Sequence, residues 1–527
     1  MTRWAKFLEG ETGRGVRRVL CGAFAALASL LATTPAGART PVAPDPAMPH
    51  QAFEGWGVSL GWWANGVGRW NEPERARIAG WIADPDTGLG YTLFRYNIGG
   101  GEAPGHDHMR RYGDVPGYKP TETGPYDWSA DASQRRVVAD LAAGRTGLVW
   151  EAFANSPPWW MTKSGCAAGN VDGSDNLKPE YFDDFADYLA DVVKKFHDDW
   201  GVTFRTVTPF NEPSARWWRA GNNQEGCGFR DDQPRMVKLL GESLKARGLP
   251  TRISISDENS IAEAFISLAR FDDSALSFVS QLNVHSYHGK VRRKDFAAAA
   301  APLGRIVWQS ESGPLSWPGG DQMDVSLWMA DVIIRDLIDM RVNAWLDWQV
   351  IDGGVWGSIH VDYDAQAAER NKRYWMHAQF SRFIRPGATI IDSGHDSVLA
   401  ALVPASQSLV MVILNAGDAD RTYTLDLSRF TLLQPTLRAY RTSEDEDLAR
   451  LSDLAVDAAP VTFVAKARSI NTLTANVPLA TALRSGPTAP PGTPRPRVRG
   501  MGGGFGVPHD GGARDMRGRA LPVTPVP

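Results

Sequence analysis

The chain has 527 residues, of which 43% are hydrophobic and 22% are charged. This length and balance are typical of a globular protein with several domains, or with one large barrel and appendages. The formal net charge of −4 at pH 7 provides no excess of basic residues for a polyanion, so nucleic acid is not an expected partner.

The N-terminus has the pattern of an export signal. Arg14, Arg17 and Arg18 precede an apolar run over 19–31, and Ala36-Gly37-Ala38 follows it. This pattern predicts a signal peptide over residues 1–38 and a secreted or periplasmic protein. The alternative is an uncleaved N-terminal anchor. No later stretch is long enough to cross a bilayer, so no membrane association beyond export is expected.

Strand and helix patterns alternate over residues 51–385. Residues 179–198, for example, have apolar side chains at the three- and four-residue spacing of an amphipathic helix. Eight strand-then-helix units predict a (β/α)8 TIM barrel. The predicted strands are 53–61, 91–97, 147–154, 204–210, 252–256, 278–285, 305–310 and 344–350.

The segments that flank the barrel have different compositions. Residues 39–50 are rich in Pro and Ala and are predicted to be a linker. Short strands at hairpin spacing over 386–476 predict an attached C-terminal antiparallel β-sandwich. Residues 477–527 are rich in Pro, Gly and Arg and are predicted to be disordered.

Two glutamates end predicted barrel strands, where the active site of such a barrel lies. Glu212 follows the fourth strand and Glu311 follows the seventh. Two carboxylates are what glycosidic hydrolysis requires, with Glu212 as general acid and base and Glu311 as nucleophile. Asp257 and Glu258 are rival carboxylates, ranked lower because acidic residues after strands are commonly helix caps. No cofactor is needed for this chemistry.

Other side chains near the strand ends are candidates for binding a sugar. Arg95 is the expected counter-charge to Glu311, with a structural ion pair as its alternative. The alternative role for Asn211 is to cap a helix. The alternative for the four tryptophans is packing in the core. The candidates are Arg95, Asn97, Asn155, Asn211, His285, Tyr287, Trp62, Trp63, Trp160 and Trp348.

Two cysteines, Cys166 and Cys227, follow the predicted signal peptide. They lie in the loops after the third and fourth strands, and an exported chain favours a disulfide between them. Their surroundings lack the residue spacing of a metal-ligand motif, so no metal is expected.

With these residues in view, the chain resembles glycoside hydrolase family 30, a group of retaining enzymes with a barrel and a β-sandwich. Asn211-Glu212-Pro213 matches the family's acid/base motif, and Trp308-Gln309-Ser310-Glu311 matches its nucleophile motif. Arg95 and the Ser-Pro-Pro-Trp-Trp-Met segment at 156–161 add to the match. The family also implies that residues 50–53 join the sandwich.

Within that family, the segments 55–64, 95–101, 224–227 and 256–258 resemble the β-1,6-galactanase branch. The resemblance implies hydrolysis of the β-1,6-linked galactan side chains of plant arabinogalactan, so the expected substrate is an oligo- or polysaccharide. The protein is expected to be a monomer. Residues 350–356 do not match the branch, so endo or exo action stays open. The alternatives are a β-1,6-glucan or xylan substrate, a silent carbohydrate-binding protein, or an interaction scaffold based on the tail.

Overall fold

Eight parallel strands close into a barrel in the computed structural model, which describes residues 39–314, 321–457 and 460–478. The eighth strand pairs with both the first and the seventh, with Trp345 beside Trp56 and Ala344 beside Trp308. This pairing confirms the predicted TIM barrel. The strands are Gly55–Ser59, Leu93–Asn97, Val149–Phe153, Phe204–Thr208, Arg252–Ser260, Val279–His288, Ile306–Glu311 and Ala344–Asp347.

Helices surround the barrel and bury one apolar side against it. In Phe182–Asp199 the buried side includes Phe185, Leu189 and Phe196, while Asp183 and Asp184 lie in the first turn, where the helix dipole favours acids. The α-helices are Trp63–Val67, Glu72–Ala83, Ala132–Ala142, Phe182–Asp199, Gln233–Ala246, Ile261–Leu268, Asp273–Leu276, Arg293–Ala300, Gln322–Arg335 and Lys372–Ser381, and Asp336–Met340 is π-helical.

The loop after the eighth strand contains an antiparallel hairpin, Ile359–Asp362 with Ala367–Arg370, which the sequence pattern did not predict. None of the helices that the structure describes is both long and apolar enough to span a membrane.

Two further sheets pack face to face and confirm the predicted β-sandwich. Their shared core includes Val42, Val398, Tyr423, Phe463 and Leu473. The larger sheet contains, in order, Glu446–Arg450, Thr436–Ser443, Ser469–Asn476, Ser408–Asn415, Val398–Val403, Ala388–Asp392 and Asp45–Phe53, with Leu454–Ala455 beside Thr436–Ser443. The smaller sheet contains Thr40–Val42, Arg421–Leu425 and Val461–Ala465.

The predicted linker over residues 39–50 is wrong, because this segment supplies a strand to each sheet of the sandwich. Thr40–Val42 pairs with Arg421–Leu425, and Asp45–Phe53 pairs with Ala388–Asp392. Both are edge strands. A strand at an edge tolerates proline, since the missing N–H costs no ladder hydrogen bond on the open side. The prolines of residues 39–50 are therefore compatible with edge strands, although their number is also typical of a linker.

The predicted signal peptide, 1–38, and residues 479–527 of the predicted tail lie outside the described residues. The first residue of the predicted tail, Val477, is buried, and its N–H donates to the Gln407 carbonyl at 2.8 Å. Side chains of the last barrel helix, Lys372–Ser381, join the barrel to the sandwich. Gln379 Nε2 donates to Thr442 Oγ1 at 3.0 Å, and Thr472 Oγ1 donates to the Gln379 carbonyl at 2.7 Å.

Candidate active site

The barrel brings Glu212 and Glu311 together at the carboxyl ends of its strands. Carboxylate oxygens of the two residues lie within 4.8 Å of each other, and both residues are about 95% buried. Glu311 is the last residue of the seventh strand. Glu212 has φ of 47°, an uncommon conformation for a residue with a side chain, and its N–H donates to the Asp257 carbonyl at 2.8 Å. The chain therefore turns sharply at Glu212.

His285 lies among three carboxylates. Its Nδ1 is 3.3 Å from Glu212 Oε1, and its Nε2 is 3.1 Å from Asp257 Oδ1 and 3.6 Å from Glu311 Oε2. Burial alone lowers the pKa of His285, but the Glu311 and Asp257 charges outweigh burial and raise the pKa to about 10. His285 is thus an imidazolium cation at neutral pH.

Glu311 is held by two further donors. The Tyr287 hydroxyl donates to its Oε1 at 2.9 Å, and Arg95 Nη1 lies 3.4 Å from its Oε2. Burial raises the pKa of Glu311 to about 7, with His285 opposing this shift and Glu212 adding to it. A nearby negative charge makes ionisation of a second carboxyl less favourable, and this is how Glu212 adds to the raised pKa of Glu311.

Arg95 is fully buried and pairs with three carboxylates at once. Its Nε is 2.9 Å from Glu151 Oε1, its Nη2 contacts Asp257, and its Nη1 approaches Glu311. Although burial by itself raises the pKa of Asp257, the Arg95 and His285 charges bring it down to about 2. Arg95 is therefore both a counter-charge to Glu311 and a member of buried structural ion pairs with Glu151 and Asp257.

Glu151 and Asn259 belong to this network, and sequence reasoning missed both. Glu151 accepts from Arg95, Thr206, Gln281 and Asn283 inside the barrel. Asn259 Nδ2 donates to Glu212 Oε1 at 2.6 Å. A lone acid within the apolar strand Val149–Phe153 was the available signal for Glu151.

The expectation that Asp257 and Glu258 cap a helix is wrong, because both lie within the strand Arg252–Ser260 and Ser260 caps the helix that follows. Glu258 accepts from the side chains of Ser214 at 2.7 Å and Ser267 at 2.5 Å, and from the Ser214 N–H at 3.1 Å. These bonds hold Glu258 away from the pair formed by Glu212 and Glu311. Asp257 lies beside that pair, with Arg95 and His285 as its partners.

An aromatic cluster, Trp62, Phe153, Tyr287 and Trp348 with Trp356 against it, adjoins Glu311. Trp62 packs edge-on against Trp348, with ring centroids 5.2 Å apart. The Arg110 guanidinium lies over Trp62, 4.5 Å from the ring centroid. We call this cluster the aromatic wall. Flat apolar rings of this kind suit stacking on a sugar ring.

The other two predicted stacking residues are not in the aromatic wall. Trp63 is completely buried and its Nε1 donates to the Ser59 carbonyl at 2.8 Å, so the prediction that it stacks on a sugar is wrong. Trp160 packs edge-on against Tyr181 in the barrel core, and its Nε1 donates to the Lys119 carbonyl at 2.9 Å.

The three predicted asparagines are buried at the strand ends. Gln134 bonds to both the N–H and the carbonyl of Asn97, each at 3.0 Å, which fixes its backbone. Asn211 Oδ1 has no hydrogen-bond partner among the residues that the structure describes. Asn97, Asn155 and Asn211 stay predictions as sugar contacts.

The predicted disulfide between Cys166 and Cys227 is wrong, because both cysteines are free and buried. Cys166 Sγ donates to the Ala220 carbonyl at 2.9 Å and lies 3.4 Å from Glu102 Oε2. Cys227 Sγ contacts the Gly228 carbonyl at 3.5 Å. Each sulfur therefore has its own polar neighbours.

Comparison with known proteins identifies the family of the chain. The model of O-glycosyl hydrolase family 30 matches residues 41–279. An endo-β-1,6-galactanase of Hypocrea rufa is 32% identical over 76% of this chain and 86% of its own length. The chain belongs to O-glycosyl hydrolase family 30. As a family 30 member it is an O-glycosyl hydrolase, and its substrate is a polysaccharide.

Two further matches differ in how much of the other protein this chain covers. An exo-β-1,6-galactobiohydrolase of Bifidobacterium longum subsp. longum is 24% identical over 74% of this chain, which spans about a third of that longer protein, 35%. The catalytic domain of the family 30 xylanase C from Talaromyces cellulolyticus has a TM-score of 0.65 and 19% identity, over 82% of this chain and 99% of the xylanase domain. At that identity the xylanase supports the fold.

Proposed function

We propose that this family 30 enzyme is a secreted, retaining hydrolase of β-1,6-linked galactan, with Glu212 and Glu311 as its catalytic pair. The observation that supports it most is the approach of the two carboxylates to within 4.8 Å. Retaining glycosidases hold their carboxyl groups about 5–5.5 Å apart, whereas inverting enzymes need about 6.5–9.5 Å to admit a water.

The hydrogen bonds around the pair indicate which glutamate holds the proton. Both oxygens of Glu311 face donors, the Tyr287 hydroxyl and Arg95 Nη1, which favours the carboxylate form. At Glu212, Asn259 and His285 both approach Oε1, which leaves Oε2 to bear the proton. Glu212 is therefore the general acid and Glu311 is the nucleophile.

The reaction follows from these protonation states. Glu212 gives its proton to the glycosidic oxygen while Glu311 attacks the anomeric carbon, so that the glycosidic bond breaks and a glycosyl ester of Glu311 forms. Glu212, now a carboxylate, takes a proton from water, and the resulting hydroxide displaces Glu311. The two inversions at the anomeric carbon give net retention.

Two observations support galactan as the substrate. The Hypocrea rufa and Bifidobacterium longum relatives are both named for hydrolysis of β-1,6-linked galactose chains. The aromatic wall adjoins Glu311, and rings of this kind suit stacking on the apolar side of a hexose. Export rests on the sequence pattern of residues 1–38.

A panel of three polymers tests the substrate. De-arabinosylated arabinogalactan, β-1,6-glucan and xylan are incubated with the full chain, and the released oligosaccharides are separated and identified. We expect galactose and β-1,6-galactooligosaccharides from the first polymer alone, because substrate-positioning contacts on the aromatic wall and buried asparagines select one hexose. Release of sugars from glucan or xylan alone would contradict the galactan proposal while leaving the retaining mechanism intact.

A further inference from the structure

Four side chains with metal-ligand chemistry converge in the loops at the carboxyl end of the barrel. Glu102, His106, His108 and Cys166 each offer one ligand atom, and these atoms lie within 4.8 Å of one another. The first three follow the second barrel strand, and Cys166 follows the third. None of the four takes part in the network around Glu212 and Glu311.

The two distances from Cys166 Sγ to its neighbours in the cluster match the edges of a tetrahedron around zinc. Zinc bonds of about 2.0–2.3 Å to N, O and S place tetrahedral ligand atoms about 3.3–3.8 Å apart. Cys166 Sγ lies 3.4 Å from Glu102 Oε2 and 3.5 Å from His108 Nε2. His108 Nε2 lies 3.9 Å from Glu102 Oε2, and His106 Nδ1 lies 2.9 Å from Glu102 Oε1.

The surroundings orient two of the ligands. His108 Nδ1 is 2.6 Å from the Asn222 carbonyl. A carbonyl only accepts, so Nδ1 bears the hydrogen and Nε2 presents its lone pair to the cluster. A backbone carbonyl on the second ring nitrogen is the usual arrangement at a metal-bound histidine. The Ala168 N–H donates to Cys166 Sγ at 3.5 Å, which helps to orient the sulfur.

We propose that Glu102, His106, His108 and Cys166 bind one Zn²⁺ ion. One sulfur, two imidazole nitrogens and one carboxylate oxygen form a tetrahedral set that suits zinc, which is borderline soft. On binding, the Cys166 S–H bond breaks, the sulfur keeps the electron pair and bonds to zinc, and the proton passes to solvent. His106 is partly exposed, with 40% of its side chain accessible, and provides the access path for the ion.

The site would fix a loop at the edge of the substrate cleft. Zinc ties the segment 102–108 to the loop containing Cys166, and Arg110 follows two residues after His108. Arg110 lies over Trp62 in the aromatic wall, and its Nη2 is 3.6 Å from Asp352 Oδ1. The sequence expectation of no metal considered only the surroundings of the two cysteines, whereas these ligands come from separate loops.

The zinc content of the purified protein tests the site. The full chain is expressed in zinc-supplemented medium and purified without chelator. We expect one zinc per chain by mass spectrometry of the metal, and less than about a tenth of that in Cys166→Ser and His108→Ala, because three remaining ligands bind zinc much more weakly. Cys227→Ser is the matched control, since this buried cysteine lies outside the cluster, and it should keep its zinc.

Two further measurements keep the test decisive if a variant folds poorly. Added ZnCl₂ should raise the Tm of the metal-stripped wild-type chain and leave the Tm of Cys166→Ser unchanged. Cobalt should give the wild-type chain a thiolate-to-metal charge-transfer band that Cys166→Ser lacks. A wild-type chain that stays metal-free after dialysis against ZnCl₂, or a Cys166→Ser chain that binds as much zinc as the wild type, would overturn the proposal. Neither outcome depends on galactan hydrolysis.

Discussion

Glu311→Gln is expected to lower kcat on galactan by about 10⁴-fold or more, because the amide cannot form the glycosyl ester on which double displacement depends. Gln has nearly the shape of Glu, so the aromatic wall, on which we propose that the sugar stacks, stays in place. Substrate affinity, measured by calorimetry on the inactive variant, should change little. Initial rates of reducing-sugar release give kcat.

Glu225→Gln is the matched control for a buried glutamate. Burial raises the pKa of the Glu225 carboxyl well above its ordinary value, which favours the neutral form, and Gln is neutral as well. Its Oε1 accepts from the Gly100 N–H at 3.1 Å, a bond that the Gln oxygen can also accept. This variant should keep kcat near the wild-type value. If Glu311→Gln also keeps it, another residue is the nucleophile.

His285→Asn is expected to shift the acidic limb of the kcat/KM profile to higher pH by about 1–3 units. The acidic limb reports loss of the proton from Glu311, whose pKa burial raises to about 7. The positive charge of His285 opposes this rise. Without the imidazolium, the negative form of Glu311 is less stable, so its pKa rises. The profile is measured on galactan over the pH range in which the enzyme stays folded.

His377→Asn is the control for loss of a buried histidine. His377 Nε2 lies 3.3 Å from Asp347 Oδ2 and its ring packs against Tyr91 and Trp345. Its loss can reduce stability, but it leaves the charges around Glu311 unchanged, and the limb should stay where it is. A limb that stays in place in His285→Asn as well would show that His285 does not set the ionisation of the pair.

The barrel was predictable because its signal repeats eight times. Each strand is an apolar run that ends in polar residues, and this rule located both Glu212 and Glu311. The linker prediction failed because proline content does not distinguish a linker from an edge strand. Asp45–Phe53 finds its partner, Ala388–Asp392, far away in sequence, and no local pattern predicts that pairing.

The site was predictable only where a residue ends a strand. Glu151 lies within a strand. Asn259 lies near the end of the fifth strand, which extends to Ser260, beyond the apolar residues from which that strand was predicted. Trp62 and Trp63 are neighbours with the same chemistry, yet one is in the aromatic wall and the other is in the core. Trp62 has φ of 65°, so the backbone turns between them, and composition does not predict such a turn.

The anomeric configuration of the first product tests the two-glutamate mechanism most directly. Proton NMR spectra are recorded in the first minutes of galactan hydrolysis, before mutarotation equilibrates the new reducing end. The proposed double displacement predicts that the β-anomer appears first and the α-anomer grows in later. An α-anomer that appears first would mean a single displacement by water, and would contradict the assignment of Glu311 as the nucleophile.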